Sequence, residues 1–117
     1  MSVLSTAAYE EEIGGQSRRL VLRNREIERF EAQYDVGIFA LWDQLSGRGP
    51  APQVRHVRDL VALALIGGGM ADRAADQLVA DLGPDHNIAL RQIAFRALGV
   101  AFIPSVLESD KKKRDGS

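Results

Sequence analysis

The sequence predicts a mainly α fold, a small domain of four to five helices preceded by an N-terminal β-hairpin. Three observations carry this prediction. The stretch Val54 to Met70, VRHVRDLVALALIGGGM, begins as an amphipathic helix, becomes almost wholly apolar and stops at Gly67, Gly68 and Gly69. The stretch Ala7 to Arg23 reads as two short arms around Gly14-Gly15: AAYEEEI, GGQS, RRLVLR. Elsewhere, apolar residues recur at helical spacing between glycine and proline breaks.

Taken in order, Met1 to Thr6 are expected to form a flexible lead-in, residues 7–104 a single globular domain, and 105–117 a charged, disordered tail. In the hairpin, Gly14 and Gly15 can take the positive φ of a tight turn. Leu20 and Leu22 alternate with Arg19, Val21 and Arg23, as in a half-buried strand, and Glu10 to Glu12 face Arg18 and Arg19 across the turn. A frayed helix over Ala7 to Ile13 is the competing reading. Asn24 suits a helix N-cap, with Glu26 and Glu28 in the early turns where the dipole favours negative charge. Ile27, Phe30 and Tyr34 then form one narrow stripe.

Asp35 and Gly37 mark a break before Val36 to Ser46, where Ile38, Phe39, Leu41, Trp42 and Leu45 make an apolar arc wide enough for two surfaces. The loop Gly47 to Pro52 follows. In the helix from Gln53 to Ile66, Val54, Val57, Leu60, Val61, Ala64 and Leu65 share a face, with Arg55, Asp59 and Ala62 opposite. The terminal glycines are expected to cap this helix and let the last two helices fold back over it.

Ala71 to Leu82 places Ala75, Leu78, Val79 and Leu82 on one side, and Gly83-Pro84 closes it. Asp85 is a natural N-cap for a final helix that Pro104 stops after Ile103. One face of that helix carries Leu90, Ile93, Ala94, Ala97, Leu98 and Ala101. Ile88, Phe95 and Phe102 form a second line, so the helix is either central in the domain or partly covered by a partner; central burial is the expectation, because small domains leave few large aromatics on open surface.

At 117 residues, 45% hydrophobic and 26% charged, the chain has the composition of an ordinary globular domain. It contains no cysteine, so disulfides and thiolate chemistry are excluded. A net charge of −1 points neither to nucleic acid nor to an anionic membrane. No basic-then-apolar leader is visible, and the longest apolar run, Leu60 to Ala71, falls short of a bilayer span. A soluble protein of the cytoplasm is the expectation.

Chemistry-bearing patterns are sparse. His56 and His86 begin different helices without metal-ligand spacing, so structural roles are expected for both, with no metal and no cofactor. The triple glycine follows a helix rather than a strand and precedes no Lys-Ser or Lys-Thr, which excludes a P-loop. No nucleophile elbow is present, and an enzyme is not expected. Ala71 to Leu82 and the helix after it imitate a helix-turn-helix. However, the presumed recognition end, DHNIALRQIAF, is largely apolar, which makes a DNA-binding regulator the weakest reading.

The order of parts resembles a known family. A Gly-Gly hairpin ending in RLVLRN leads into EIERFEAQYDVGIFALWDQLSGR, then DLVALALIGGG, a short acidic helix and a last helix with ALGVAF. From Glu10 to Phe102 this resembles the small tail-tube-associated proteins of phages and gene transfer agents, and is similar to phage tail assembly chaperones. It departs from them where Asn24-Arg25-Glu26 replaces a Thr-Ile/Leu-Gly-type junction. The resemblance implies a non-enzymatic protein that holds tail tube or tape measure subunits soluble before polymerisation. The alternative is a structural tail tube or connector subunit, associated with the virion. A homo-oligomer is compatible with either role; neither nucleic acid nor membrane is an expected partner. Phe39, Trp42, Phe95 and Phe102 widen apolar faces that already suffice for packing, which makes them candidates for partner binding; the competing reading places all four in the core.

Overall fold

A computed structural model describes residues 8–106. The lead-in over Met1 to Thr6 lies outside the described residues, as does the tail beyond Val106. Strands β1 (Ala8–Ile13) and β2 (Gln16–Val21) form an antiparallel hairpin, followed by helices α1 (Asn24–Tyr34), α2 (Ile38–Leu45), α3 (Val54–Gly67), α4 (Asp72–Ala80) and α5 (Asn87–Phe102). Gly14 and Gly15 have φ of 65° and 84°, the two consecutive positive values that a two-residue hairpin turn requires. Glu10 pairs with Arg19 and Glu11 with Arg18, so the expected cross-strand charges face each other. The strict alternation expected of β2 fails at its end, where Leu20, Val21 and Leu22 are all buried.

The far end of α3 lies against that strand. A Cβ on Gly67 would lie 2.0 Å from the Val21 carbonyl oxygen, and one on Gly68 would lie 2.1 Å from that of Arg19. Helix and strand therefore touch backbone to backbone along the outer edge of β2, the edge away from β1. The third glycine does separate work. Gly69 has φ of 118°, its amide donates to the Ile66 carbonyl, and the Met70 amide donates to that of Leu65. These paired bonds form a Schellman cap, which satisfies the last carbonyls of α3 and ends it.

The α1 junction is a correction by one residue. Arg23, not Asn24, is the N-cap, and Glu26 accepts its backbone amide at 2.9 Å. The Arg23 guanidinium also reaches both carboxylate oxygens, at 3.1 and 2.8 Å. Burial pushes the Glu26 carboxyl upward, but these hydrogen bonds and the positive charge outweigh it and hold the group below its usual range. Asp35, at φ of 54°, ends α1, and the Glu31 carboxylate accepts the Ile38 amide at the start of α2.

Helix α3 packs against α1, α4, α5 and β2. Its burial is wider than the sequence face suggests: Ala62 and Leu63 are buried, since α3 packs against both α1 and α4, whereas Val54 is exposed. Arg58 locks the next turn, donating to the Val79 carbonyl, to the Leu82 carbonyl at 2.7 Å and to the Asn87 side-chain oxygen at 2.7 Å. These bonds satisfy carbonyls at the end of α4 and put a cation where the helix dipole favours one.

The expected Asp85 cap is also displaced. Pro84 opens a 3-10 turn over Pro84–His86, Asp85 lies within it, and His86 caps α5. Leu90, Ile93, Ala94, Ala97 and Leu98 bury one face of α5 as anticipated, and Ala101 is half-buried. Central burial of the second line fails: Ile88 and Phe95 are exposed and Phe102 is half-buried. After Phe102 the chain makes one more turn, in which the Val106 amide donates to the Ile103 carbonyl. Among the described residues, no helix is long and apolar enough to cross a membrane.

His56 is buried with neither ring nitrogen hydrogen-bonded. It packs edge-on against Phe30 and Tyr34, with ring centroids 5.7 and 4.8 Å away. Burial, reinforced by the charge of Arg55, lowers its pKa, so the neutral ring is the native form.

Two expected outcomes follow from this packing. Gly67→Ala and Gly68→Ala should each gain up to about 1 kcal/mol of helix propensity, yet lose more to the backbone clash, for a net destabilisation of about 2 kcal/mol or greater. Gly49→Ala, with open space around it, should change stability by less than about 0.5 kcal/mol in the same denaturant titrations. For His56, the unfolded chain takes up a proton that the fold refuses. Stability should therefore fall as pH drops through the unfolded value of about 6.5, by at most about 1.4 kcal/mol per pH unit. Denaturation midpoints of His56→Phe should show less of this acid-side loss.

Candidate functional site

Helices α2 and α5 lie side by side, and their outward residues meet in one aromatic cluster. Trp42 stacks on Phe95, with centroids 5.3 Å apart and planes 21° from parallel. Phe102 meets Trp42 edge-on at 5.5 Å and Phe39 at 5.6 Å. All four sequence-singled residues are thus brought together. Helical geometry accounts for this: Phe39 and Trp42 are three apart on α2, and Phe95 and Phe102 are seven apart on α5, so each pair shares a face.

The cluster sits on the surface rather than in the core. Phe39 is 71% exposed and Phe95 40%, while Trp42 and Phe102 are half-buried against the core beneath. The reading that places all four in the core therefore does not hold. Exposed aromatics on adjacent helices expose contiguous apolar area to water, which is unfavourable unless something covers it.

Beside the cluster runs an apolar groove of about 340 Å³. Tyr9 from β1, Trp42 from α2 and Phe95, Arg96, Gly99 and Val100 from α5 line it, together with Ile103 and Val106. Tyr9 is positioned by a 3.0 Å hydrogen bond from its hydroxyl to the Ile93 carbonyl. Burial, then the nearby Glu11 charge, raises its pKa, and Arg96 opposes this only in part, so the phenol stays neutral. Arg96 pairs with Glu11, tying β1 to α5 along the groove. A Cβ on Gly99 would stand 3.7 Å from the Trp42 ring, an ordinary contact.

Sequence reasoning missed Tyr9, Ile103 and Val106 as groove residues. Their one available signal was apolarity in an otherwise polar strand and beyond a helix-stopping position. Nothing in the pattern said that the hairpin would pack against α5.

A second depression, about 240 Å³, is polar: Arg29, Gln33, Asp59 and Asp76 line it. Gln33 bonds Asp59 at 3.3 Å, and Arg29 pairs with Asp72 at 2.8 Å. Burial and the charge of Asp76 push the Asp59 carboxyl upward. Among the described residues no three His, Asp or Glu side chains gather as a metal-binding group.

A family model described as Phage tail tube protein, GTA-gp10 matches residues 6–103. No curated protein and no solved structure matches the chain.

Surface and core on α2 should separate in stability measurements. Leu41→Ala, at a fully buried position, should cost about 2–5 kcal/mol. Phe39→Ala, at an exposed position that stacks only on Phe102, should cost less than about 1 kcal/mol in the same unfolding titration.

Proposed function

Because the chain belongs to the family described as phage tail tube protein, GTA-gp10, we propose that it acts in tail assembly as a non-enzymatic chaperone. It would bind tail tube or tape measure subunits in the host cytoplasm and hold them soluble until they polymerise. The observation that supports this reading is the exposed cluster of Phe39, Trp42, Phe95 and Phe102 beside an apolar groove. A carrier needs such a surface to cover the apolar face of an unassembled subunit, and aromatic side chains supply large contact area with few rotatable bonds.

A structural tail tube or connector subunit is the second reading, and the family description favours it. Physical demands distinguish the two. A subunit that closes a ring or extends a tube needs two different, mutually complementary surfaces, because its contacts are head-to-tail. A reversible carrier needs one. Among the described residues, the exposed aromatics Phe39 and Phe95 share one cluster with Trp42 and Phe102, which supports the carrier, while Val54 and Ile88 are exposed apolar residues outside that cluster.

Particle composition tests the proposal. Mass spectrometry of purified particles should find the tail proteins but not this chain, whereas recovery in ring stoichiometry would establish a structural subunit. In parallel, Phe39→Ala with Phe95→Ala should leave the circular dichroism and melting cooperativity intact while abolishing tails seen by electron microscopy.

A further inference from the structure

The hairpin has one strand edge that nothing in the described fold pairs. The sheet contains only β1 and β2. In an antiparallel pair, backbone groups point alternately toward the partner strand and away from it. A two-residue turn makes the pair that flanks it, Ile13 and Gln16, hydrogen-bonded, and the register then gives the same status to Glu11 with Arg18 and to Tyr9 with Leu20. The close approach of α3 to the Arg19 and Val21 carbonyls agrees, since those groups must face away from β1. The backbone groups of Ala8, Glu10 and Glu12 therefore face outward from the free edge of β1.

Two features lie along that edge. On the face toward α5, Tyr9 lines the apolar groove. On the opposite face, Glu10 and Glu12 are exposed carboxylates. A strand added to β1 places alternate side chains on these two faces. Those beside Tyr9 enter the groove toward Phe95 and Ile103, and those beside Glu10 and Glu12 meet negative charge.

We propose that β1 receives an extended segment of a tail-protein client by strand addition, and that the segment alternates apolar residues with lysine or arginine. This rests on the carrier reading and names its mode of recognition. The apolar residues fill the groove, the basic residues pair with Glu10 and Glu12, and main-chain bonds supply the register. On that face the hairpin already sets a cation beside a glutamate, because β2 places Arg19 opposite Glu10. A second copy of this chain is the wrong occupant: pairing β1 with β1 sets glutamates against glutamates, which is repulsive.

The probe is an acetylated, amidated heptapeptide alternating valine and lysine, titrated into the full chain up to millimolar concentration. Hydrogen exchange at the Glu10 and Glu12 amides is read by NMR. Binding should slow exchange at both amides at least tenfold and perturb the Trp42 indole signal. A block peptide of the same composition should do neither. Glu10→Lys with Glu12→Lys should weaken the valine–lysine peptide at least tenfold and admit a valine–glutamate peptide instead. Absence of binding, unprotected Glu10 and Glu12 amides, or equal binding of the block peptide overturns the proposal. Co-expression with the tail tube subunit separates the two levels. A captured client that leaves these amides unprotected overturns strand addition and leaves the carrier role standing. Peptide protection without capture of any tail protein overturns the carrier role alone.

Discussion

Everything described here depends on the backbone contact between the end of α3 and β2. A side chain at Gly67 or Gly68 would occupy the position of a strand carbonyl, so the hairpin can lie at this depth only because both residues are glycine. Glu26 joins the same junction: its carboxyl carbon would be 3.2 Å from a Cβ on Gly67. The buried carboxylate caps α1 and pairs with Arg23 while filling the space beside the helix end. Three elements thus meet where no bulkier residue fits, and the meeting is sensitive because packed interiors relax little.

From that junction the position of the surface site follows. Seating β2 on α3 carries β1 over α5, where the Tyr9 hydroxyl reaches Ile93 and Glu11 reaches Arg96. Tyr9 then lines the groove together with Trp42 and Phe95. Helix α2 arrives on the same side because the Glu31 carboxylate holds its first turn. On α2, Ile38, Leu41 and Leu45 point inward and are buried, which leaves Phe39 outward. The broad apolar arc of this helix thus serves two surfaces, one in the core and one open to a partner. On the proposed carrier reading, a client that covers Phe39 and Phe95 would remove the apolar exposure that the isolated chain carries.

Much of this was legible in the sequence. The hairpin and its charge register followed from Gly14-Gly15 and from alternating arms. The helices followed from periodicity and breakers, and the four aromatics stood out as apolar residues beyond what packing needs. The misses have two causes: contacts made by distant segments, and local capping contacts that override a residue's intrinsic preference. Ala62 looks solvent-facing on an isolated helix, yet it is buried in the fold, where α3 packs against both α1 and α4. The cap of α1 shifted to Arg23 because a buried Glu26 carboxylate outweighs the intrinsic preference of Asn24. Asp85 lost the α5 cap because Pro84 opens a 3-10 turn before it. The capping role expected of the glycine run belongs to Gly69; Gly67 and Gly68 are required by the carbonyls of Val21 and Arg19, far earlier in the chain. Tyr9 gave no sign of being a groove residue, since that role exists only once β1 rests on α5.

The central claim is that an exposed aromatic surface, separable from the fold, keeps tail subunits from polymerising early. The most direct measurement is light scattering of purified tail tube subunit as it polymerises, with and without an equimolar amount of this chain. The account predicts a long delay with the wild-type chain and none with the Phe39→Ala, Phe95→Ala variant at equal thermal stability. Unchanged polymerisation with the wild-type chain, or its co-assembly into the tubes, would contradict it.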